Sequence, residues 1–201
     1  MNLILFFNGW GMDERIFKDF PNLKNFQINI INYPYDIPLL NFKKYDKIYV
    51  IGWSFGVYYA SLFLKNFTYD YIGISINGTP ETIGSNGITP KIFDLTLNTL
   101  NKENLLKFYE NMEVKAPFLN MDKSIEELKE SLLHLKNNYV PQENYFHFSY
   151  IGERDKIIPT SRQNKYYKNK NIPIFNISCG HYPFYILNSW DKILKDVTNE
   201  I

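Results

Sequence analysis

Gly52-Trp53-Ser54-Phe55-Gly56 is the stretch that most limits how this chain can fold. It follows an apolar, β-branched run, Ile48-Tyr49-Val50-Ile51, and precedes the helix-like residues 57–64. A serine at such a strand-to-helix turn sits in a strained conformation with its hydroxyl presented at the top of a sheet. The flanking positions must be glycine because any side chain there would collide with the adjoining strand or helix. A serine in an ordinary tight turn is the alternative. The flanking strand and helix patterns favour a nucleophile at Ser54.

The rest of the chain extends that reading. Short apolar runs at 3–7, 26–32, 47–53, 71–76, 145–151 and 173–178 alternate with helical patterns at 14–20, 55–66, 160–168 and 186–199. The alternation predicts an α/β protein, a mainly parallel sheet flanked by helices. In the last helix Ile186, Leu187, Trp190, Ile193, Leu194 and Val197 form an apolar stripe. Residues 79–144 break the pattern, with no convincing strand and more charge. Asn101 can cap a helix to about Met112, and Ser124-Ile125-Glu126-Glu127 is a capping box opening a helix to about Asn137. The expected organisation is one domain, with a hydrolase-like core of residues 1–78 and 145–201 and a helical lid at 79–144. A lid covers sites at the carboxyl ends of strands.

Composition excludes several classes. With a net charge of +1, no global field argues for nucleic acid or membrane binding. The N-terminal apolar run is short, lacks a basic leader and reads as a buried first strand, not a signal peptide. One cysteine, Cys179, rules out an intramolecular disulfide framework and fits a reducing cytoplasm. The expectation is a cytoplasmic monomer.

A serine hydroxyl needs a base, and the base needs an orienting acceptor. His134 falls in the expected lid helix and His147 inside a strand run, whereas His181 follows a strand end in Ser178-Cys179-Gly180-His181-Tyr182-Pro183. A loop there can hang an imidazole over the sheet, so His181 is the expected base, with the other two as alternatives. The acid is expected in Gly152-Glu153-Arg154-Asp155-Lys156, where Asp155 at the far side of the turn competes with Glu153. The order Ser54, Asp155, His181 is that of the α/β-hydrolase arrangement. The oxyanion donors would be the backbone N–H groups of Phe55, directly after the nucleophile, and of Trp10 in the loop Asn8-Gly9-Trp10-Gly11-Met12-Asp13. Cys179 reads as a small strand-end residue with no base beside it.

Three motifs together carry a resemblance: Asn-Gly-Trp-Gly-Met-Asp at 8–13, Gly-Trp-Ser-Phe-Gly-Val at 52–57 and Gly-His-Tyr-Pro-Phe at 180–184. They resemble the short pimeloyl-acyl-carrier-protein methyl ester esterases of biotin synthesis, the BioG type. Many hydrolases carry a His-Gly pair in the first loop, and Asn8 replaces that histidine here, in keeping with this family. The resemblance implies an α/β-hydrolase fold, catalytic Ser54, Asp155 and His181, and no metal or organic cofactor. It also implies an acyl carrier protein as partner, bearing the pimeloyl methyl ester. The ester at the tip of the acyl arm would reach Ser54 through a narrow apolar tunnel. Trp10, Trp53, Phe118, Tyr182 and Phe184 are its expected lining, and each also reads as a core aromatic. The lid lysines Lys102, Lys107, Lys115, Lys123, Lys129 and Lys136 are candidates for docking the carrier, among many acids. Two rival readings stay open: another small-ester or thioester hydrolase, and a non-catalytic binding module on the same scaffold.

Overall fold

In the computed structural model, which describes residues 1–199, six strands form one all-parallel sheet. They are β1 (Asn2–Phe7), β2 (Phe26–Ile31), β3 (Ile48–Trp53), β4 (Ile72–Ile76), β5 (Phe148–Gly152) and β6 (Ile174–Ile177), in spatial order β2-β1-β3-β4-β5-β6. All six expected strands are present, each within a few residues of its expected bounds. Chain direction across the sheet reverses at β1, which pairs with β2 on one side and β3 on the other. Loops leaving β1 and β3 therefore diverge to opposite faces and open a crevice at their carboxyl ends, the usual ligand position in an open parallel sheet.

The alternation of side chains along β1 builds two cores. Ile4 and Phe6 face one side with Tyr49, Ile51, Ile74 and Tyr150, covered by helix α6 (Trp190–Asn199) through Ile193, Leu194 and Val197. Leu3, Leu5 and Phe7 face the other side with Ile48 and Val50, covered by helix α1 (Phe55–Leu64) through Val57, Ala60 and Leu64. Helix α6 begins at Trp190 and not at Ile186, because Ile186 and Leu187 close a turn on the Pro183 carbonyl. Ile186 is left exposed, so the expected stripe loses its first member. Residues 14–20 likewise form only a 3-10 turn, Glu14–Phe17, capped by Asp13. Phe17 packs edge-on against Phe6 and Phe184 and tilted over Trp190.

Between β4 and β5 the chain forms three helices: α2 (Pro90–Thr99), α3 (Lys102–Met112) and α4 (Ile125–Asn138). Asn101 caps α3, and the Ser124–Glu127 capping box opens α4, both where the sequence put them. Helix α2 was not anticipated, although Thr89-Pro90 carries the signal: Thr89 caps the end and Pro90 takes a first-turn position where no N–H is needed. Helix α5 (Thr160–Asn169) joins β5 to β6. Among the described residues no helix is long and apolar enough to cross a membrane.

Candidate active site

Ser54 sits between β3 and α1 with φ +57° and ψ −124°, a conformation that L side chains seldom adopt. Packing enforces it. A Cβ on Gly56 would lie 2.0 Å from the Phe7 carbonyl oxygen, and one on Gly52 would lie 2.6 Å from the Val57 Cα. Helix α1 can therefore approach β1 and β3 only with glycine at both positions, and the chain reverses sharply enough to hold Ser54 above the sheet.

His181 Nε2 lies 2.8 Å from Ser54 Oγ, and His181 Nδ1 lies 2.8 Å from Asp155 Oδ2. Both the imidazole and the carboxylate are buried. Asp155 Oδ1 also accepts from the backbone N–H groups of Ile157 (2.9 Å) and Ile158 (3.0 Å), and Oδ2 from Gln163 Nε2 (2.9 Å). Every other partner of this carboxyl is a donor, so Nδ1 carries the imidazole proton and Nε2 is left to accept from the serine hydroxyl. The structure thus brings together the three residues singled out from sequence. The alternatives lie elsewhere. His134 is exposed on α4 against Tyr33. His147 accepts from the Gly73 N–H through Nδ1, with its pKa lowered by burial. Glu153 is exposed. The Cys179 thiol is pushed up to about 12 by burial and, to a lesser degree, by the charge of Asp155, which keeps it protonated.

Two residues not foreseen from sequence fix this chain of bonds. Gln163 is fully buried and fastens Asp155 to α5. Asn77, fully buried just after β4 with φ +45°, accepts from the Gly152 N–H (2.6 Å) and donates to the carbonyls of Gly180 and His181 (3.0 Å each). It ties the loop carrying the acid to the loop carrying the imidazole. Trp53 Nε1 adds a bond to the same His181 carbonyl at 3.0 Å. Nothing local in Ser75-Ile76-Asn77-Gly78 announces this role, because all three partners lie more than 70 positions away.

In the loop after β1, Asn8 Oδ1 accepts the Gly9 N–H (2.9 Å), and Asn8 Nδ2 donates to Asn32 (2.9 Å). Neither the Trp10 backbone N–H nor that of Phe55, at the first position of α1, has a protein acceptor among the described residues. The Trp10 indole donates to Ser131 Oγ on α4 at 2.9 Å. Arg15 reaches the Leu119 carbonyl (3.0 Å) and Asp122, so the loop is fastened to the three-helix segment at two points.

Above Ser54 lies a mainly apolar cavity of about 180 Å³. Gly9, Trp10, Trp53, Phe55 and His181 form its floor. The segment between β4 and β5 contributes Ile88, Ile92, Phe93, Thr96, Phe108, Asn111, Met112 and Leu132 to its lining, and the loop after β5 contributes Lys156 and Ile157. Ligand pockets for drug-sized molecules run ~300–1,000 Å³, so this one has room only for a small group. Of the aromatics expected to line it, Trp10 and Trp53 do. Tyr182 and Phe184 lie beneath the floor, packed edge-on against Trp53, and Phe118 sits further out against Tyr182 with Lys18 over its ring. Their places at the wall are taken by α2 and α3, whose register the sequence could not set relative to the sheet.

A parallel sheet with a glycine-flanked serine elbow at its switch point, facing a buried imidazole and carboxylate, defines an α/β hydrolase. The chain belongs to the family described as "Pimeloyl-ACP methyl esterase BioG", whose model matches residues 1–193. Its structure superposes on crystalline BioG from Haemophilus influenzae with a TM-score of 0.84 and 25% identity, covering 96% of this chain and 94% of that one. A lipase-esterase related protein from Clostridium acetobutylicum shares the fold at a TM-score of 0.63 and 16% identity, covering 100% and 94%. A malonyl-[acyl-carrier protein] O-methyltransferase from Bacteroides fragilis is 35% identical over 207 aligned residues. That alignment takes in 96% of this chain, which spans 40% of the length of the curated relative it matches.

Proposed function

We propose that this chain is a cytoplasmic serine carboxylesterase of biotin synthesis. It hydrolyses the methyl ester of pimeloyl-acyl carrier protein to pimeloyl-acyl carrier protein and methanol. The observation that carries this reading is the pair of 2.8 Å bonds joining Ser54, His181 and Asp155 at the floor of an apolar cavity. Family membership supplies the substrate class. The name of the longer Bacteroides fragilis relative is consistent with it, since a carrier-bound methyl ester is what an O-methyltransferase of that kind makes and what this site would cleave.

Ser54 Oγ attacks the ester carbonyl as His181 Nε2 takes its proton, and Asp155 stabilises the imidazolium through Nδ1–H. The oxyanion of the tetrahedral intermediate is held by the free N–H groups of Phe55 and Trp10, with the amino end of α1 adding its positive potential. Collapse expels methoxide, which receives the proton from His181 and leaves as methanol. Water, deprotonated by His181, then attacks the Ser54 ester, and proton return to Oγ frees the carboxylic acid. The small cavity admits the methyl ester tip of the acyl arm and leaves the thioester outside. Helices α2–α4 act as a lid on the core of residues 1–78 and 145–201. The protein works as a monomer, and no step calls for a metal or cofactor.

The test is rescue of a biotin-requiring strain that lacks its own esterase. Wild type restores growth, and Ser54→Ala, with kcat lowered roughly 10⁴–10⁶-fold, does not. A fluorophosphonate probe labels wild type alone. Growth supported by Ser54→Ala, or an unlabelled wild type, overturns the reading. A labelled wild type that cleaves p-nitrophenyl esters but rescues nothing indicates a hydrolase of other esters.

A further inference from the structure

Charge divides unevenly over this molecule. Residues 79–144, which supply α2–α4, hold seven lysines against ten carboxylates, so the inserted segment is net negative. Two of its lysines are already paired, Lys107 with Glu103 at 2.6 Å and Lys136 with Asp94 at 2.7 Å. The stretch from Lys156 to Trp190 is the opposite, with five cationic residues and no carboxylate.

We infer that the acidic carrier protein lands on the flank beside the cavity mouth, against the loop after β5 and the exposed face of α5, and not over α3 and α4. The inference rests on the carrier-bound substrate proposed above. Three observations carry it. First, the basic stretch begins at the site, because Lys156 is exposed and lines the cavity next to Ile157. Second, Arg162 in the first turn of α5 donates to the Gly87 carbonyl at 2.8 Å, which stitches this helix to the segment bearing Ile88 on the cavity wall. At 1.5 Å rise per residue, the cationic stripe continues roughly 9 Å down the flank from Arg162 to Lys168. Lys165 and Lys168 are exposed and have no acidic partner among the described residues, and the stripe ends where Lys170 meets Glu143 at 3.8 Å. Third, α2 presents to the same cavity the half-exposed apolar side chain of Ile92 (51%).

An acidic helix approaching this flank meets Lys156, Lys165 and Lys168, none of which is ion-paired among the described residues, and its prosthetic arm needs only to bend past Lys156. Approach over α3 and α4, which together hold four lysines against five glutamates, would meet no net positive charge. Such complementarity governs encounter rate and orientation, and it weakens with salt.

The experiment compares Lys165→Glu/Lys168→Glu with Lys123→Glu/Lys129→Glu on the inserted segment, using pimeloyl-carrier methyl ester and the small diester dimethyl pimelate. Reversal on α5 raises KM for the carrier ester about tenfold, with kcat held within about twofold. It also flattens the rise of KM with salt and leaves dimethyl pimelate turnover unchanged, while the pair on the inserted segment matches wild type. A rise in KM confined to the inserted-segment pair, or a carrier-ester KM indifferent to both pairs and to salt, overturns the inference. Wild type that turns over dimethyl pimelate but not the carrier ester refutes the carrier substrate itself and the landing surface with it. That outcome is distinct because it needs no variant.

Discussion

Replacing Asn77 tests whether the two loops that carry the imidazole and its acceptor are held in register by one amide. In Asn77→Ala the buried Gly152 N–H loses its 2.6 Å acceptor, an orphaned donor costing about 1–3 kcal/mol. The Gly180 carbonyl keeps only the Cys179 thiol at 3.2 Å, while the His181 carbonyl retains Trp53 Nε1. Alanine at φ +45° adds little to this, because Asn77 already carries a Cβ and only the amide's greater tolerance of positive φ is lost. The total of about 1–3 kcal/mol leaves a folded protein across the usual ~5–15 kcal/mol range. With the loops untied, kcat on a small ester should fall about 10–100-fold at nearly constant KM, since misplacement by an ångström costs on that order. Asn77→Asp separates geometry from fold damage. It preserves size and tolerance of positive φ, but it turns a carboxyl oxygen toward two carbonyls where the amide donated at 3.0 Å. That contact favours the protonated acid, so the folded pKa of the new carboxyl rises above its unfolded value. The stability it contributes is complete below the unfolded value near 3.9 and is lost as pH rises through the folded one. Thermal melts from pH 5.5 to 8, read as differences from wild type, should show the variant's Tm deficit growing with pH. Full kcat in Asn77→Ala, or a deficit in Asn77→Asp that does not change with pH, refutes the clamp.

Other consequences are open to measurement. Ser131→Ala removes the 2.9 Å acceptor of the Trp10 indole and leaves only the Leu128 carbonyl at 3.4 Å, so the loop bearing the second oxyanion donor loosens. kcat should drop about 10-fold, up to the ~10²–10³ known for outright loss of one donor, and Ser131→Thr should recover most of it. Unaltered kcat in Ser131→Ala would show that the indole bond does not position the loop. His147 has a pKa lowered by burial and uses Nδ1 to accept from Gly73, so folding favours its neutral form. That contribution is present above the unfolded value near 6.5 and lost as pH falls through the lower folded value. Wild-type Tm should therefore decline faster than that of His147→Asn between pH 7 and 5, and parallel curves would exclude the effect.

What the sequence disclosed follows from the range of the interactions involved. Ser54 was legible because the elbow is a local device, written in five consecutive residues by the two glycines that let α1 press on Phe7 and Val57. Asp155 and His181 were legible because each ends a strand of apolar residues, and strand ends in a parallel sheet gather at one edge. Asn77 and Gln163 are ordinary polar residues by every local criterion, and only the packed sheet gives them partners. The cavity lining divides in the same way. Trp10 and Trp53 lie on the sheet edge and could be placed, whereas Phe93 and Phe108 enter from helices whose docking depends on distant contacts such as Trp10 to Ser131. Residues 200 and 201, which close the expected core span of 145–201, lie outside the described residues.

The attachment of residues 10–15 to α4 and to the turn before it also bears on how the family can be recombined. Trp10, the Gly11 position that has Leu128 3.3 Å from any added Cβ, and Arg15 on Leu119 and Asp122 make this loop one half of a fitted joint. A chimera that imports only the three-helix segment from a relative would inherit a mismatched joint, and the backbone beside Ser54 would drift with it. Grafting residues 8–15 together with 79–144 moves both halves at once, which makes that pair of segments the natural unit of exchange.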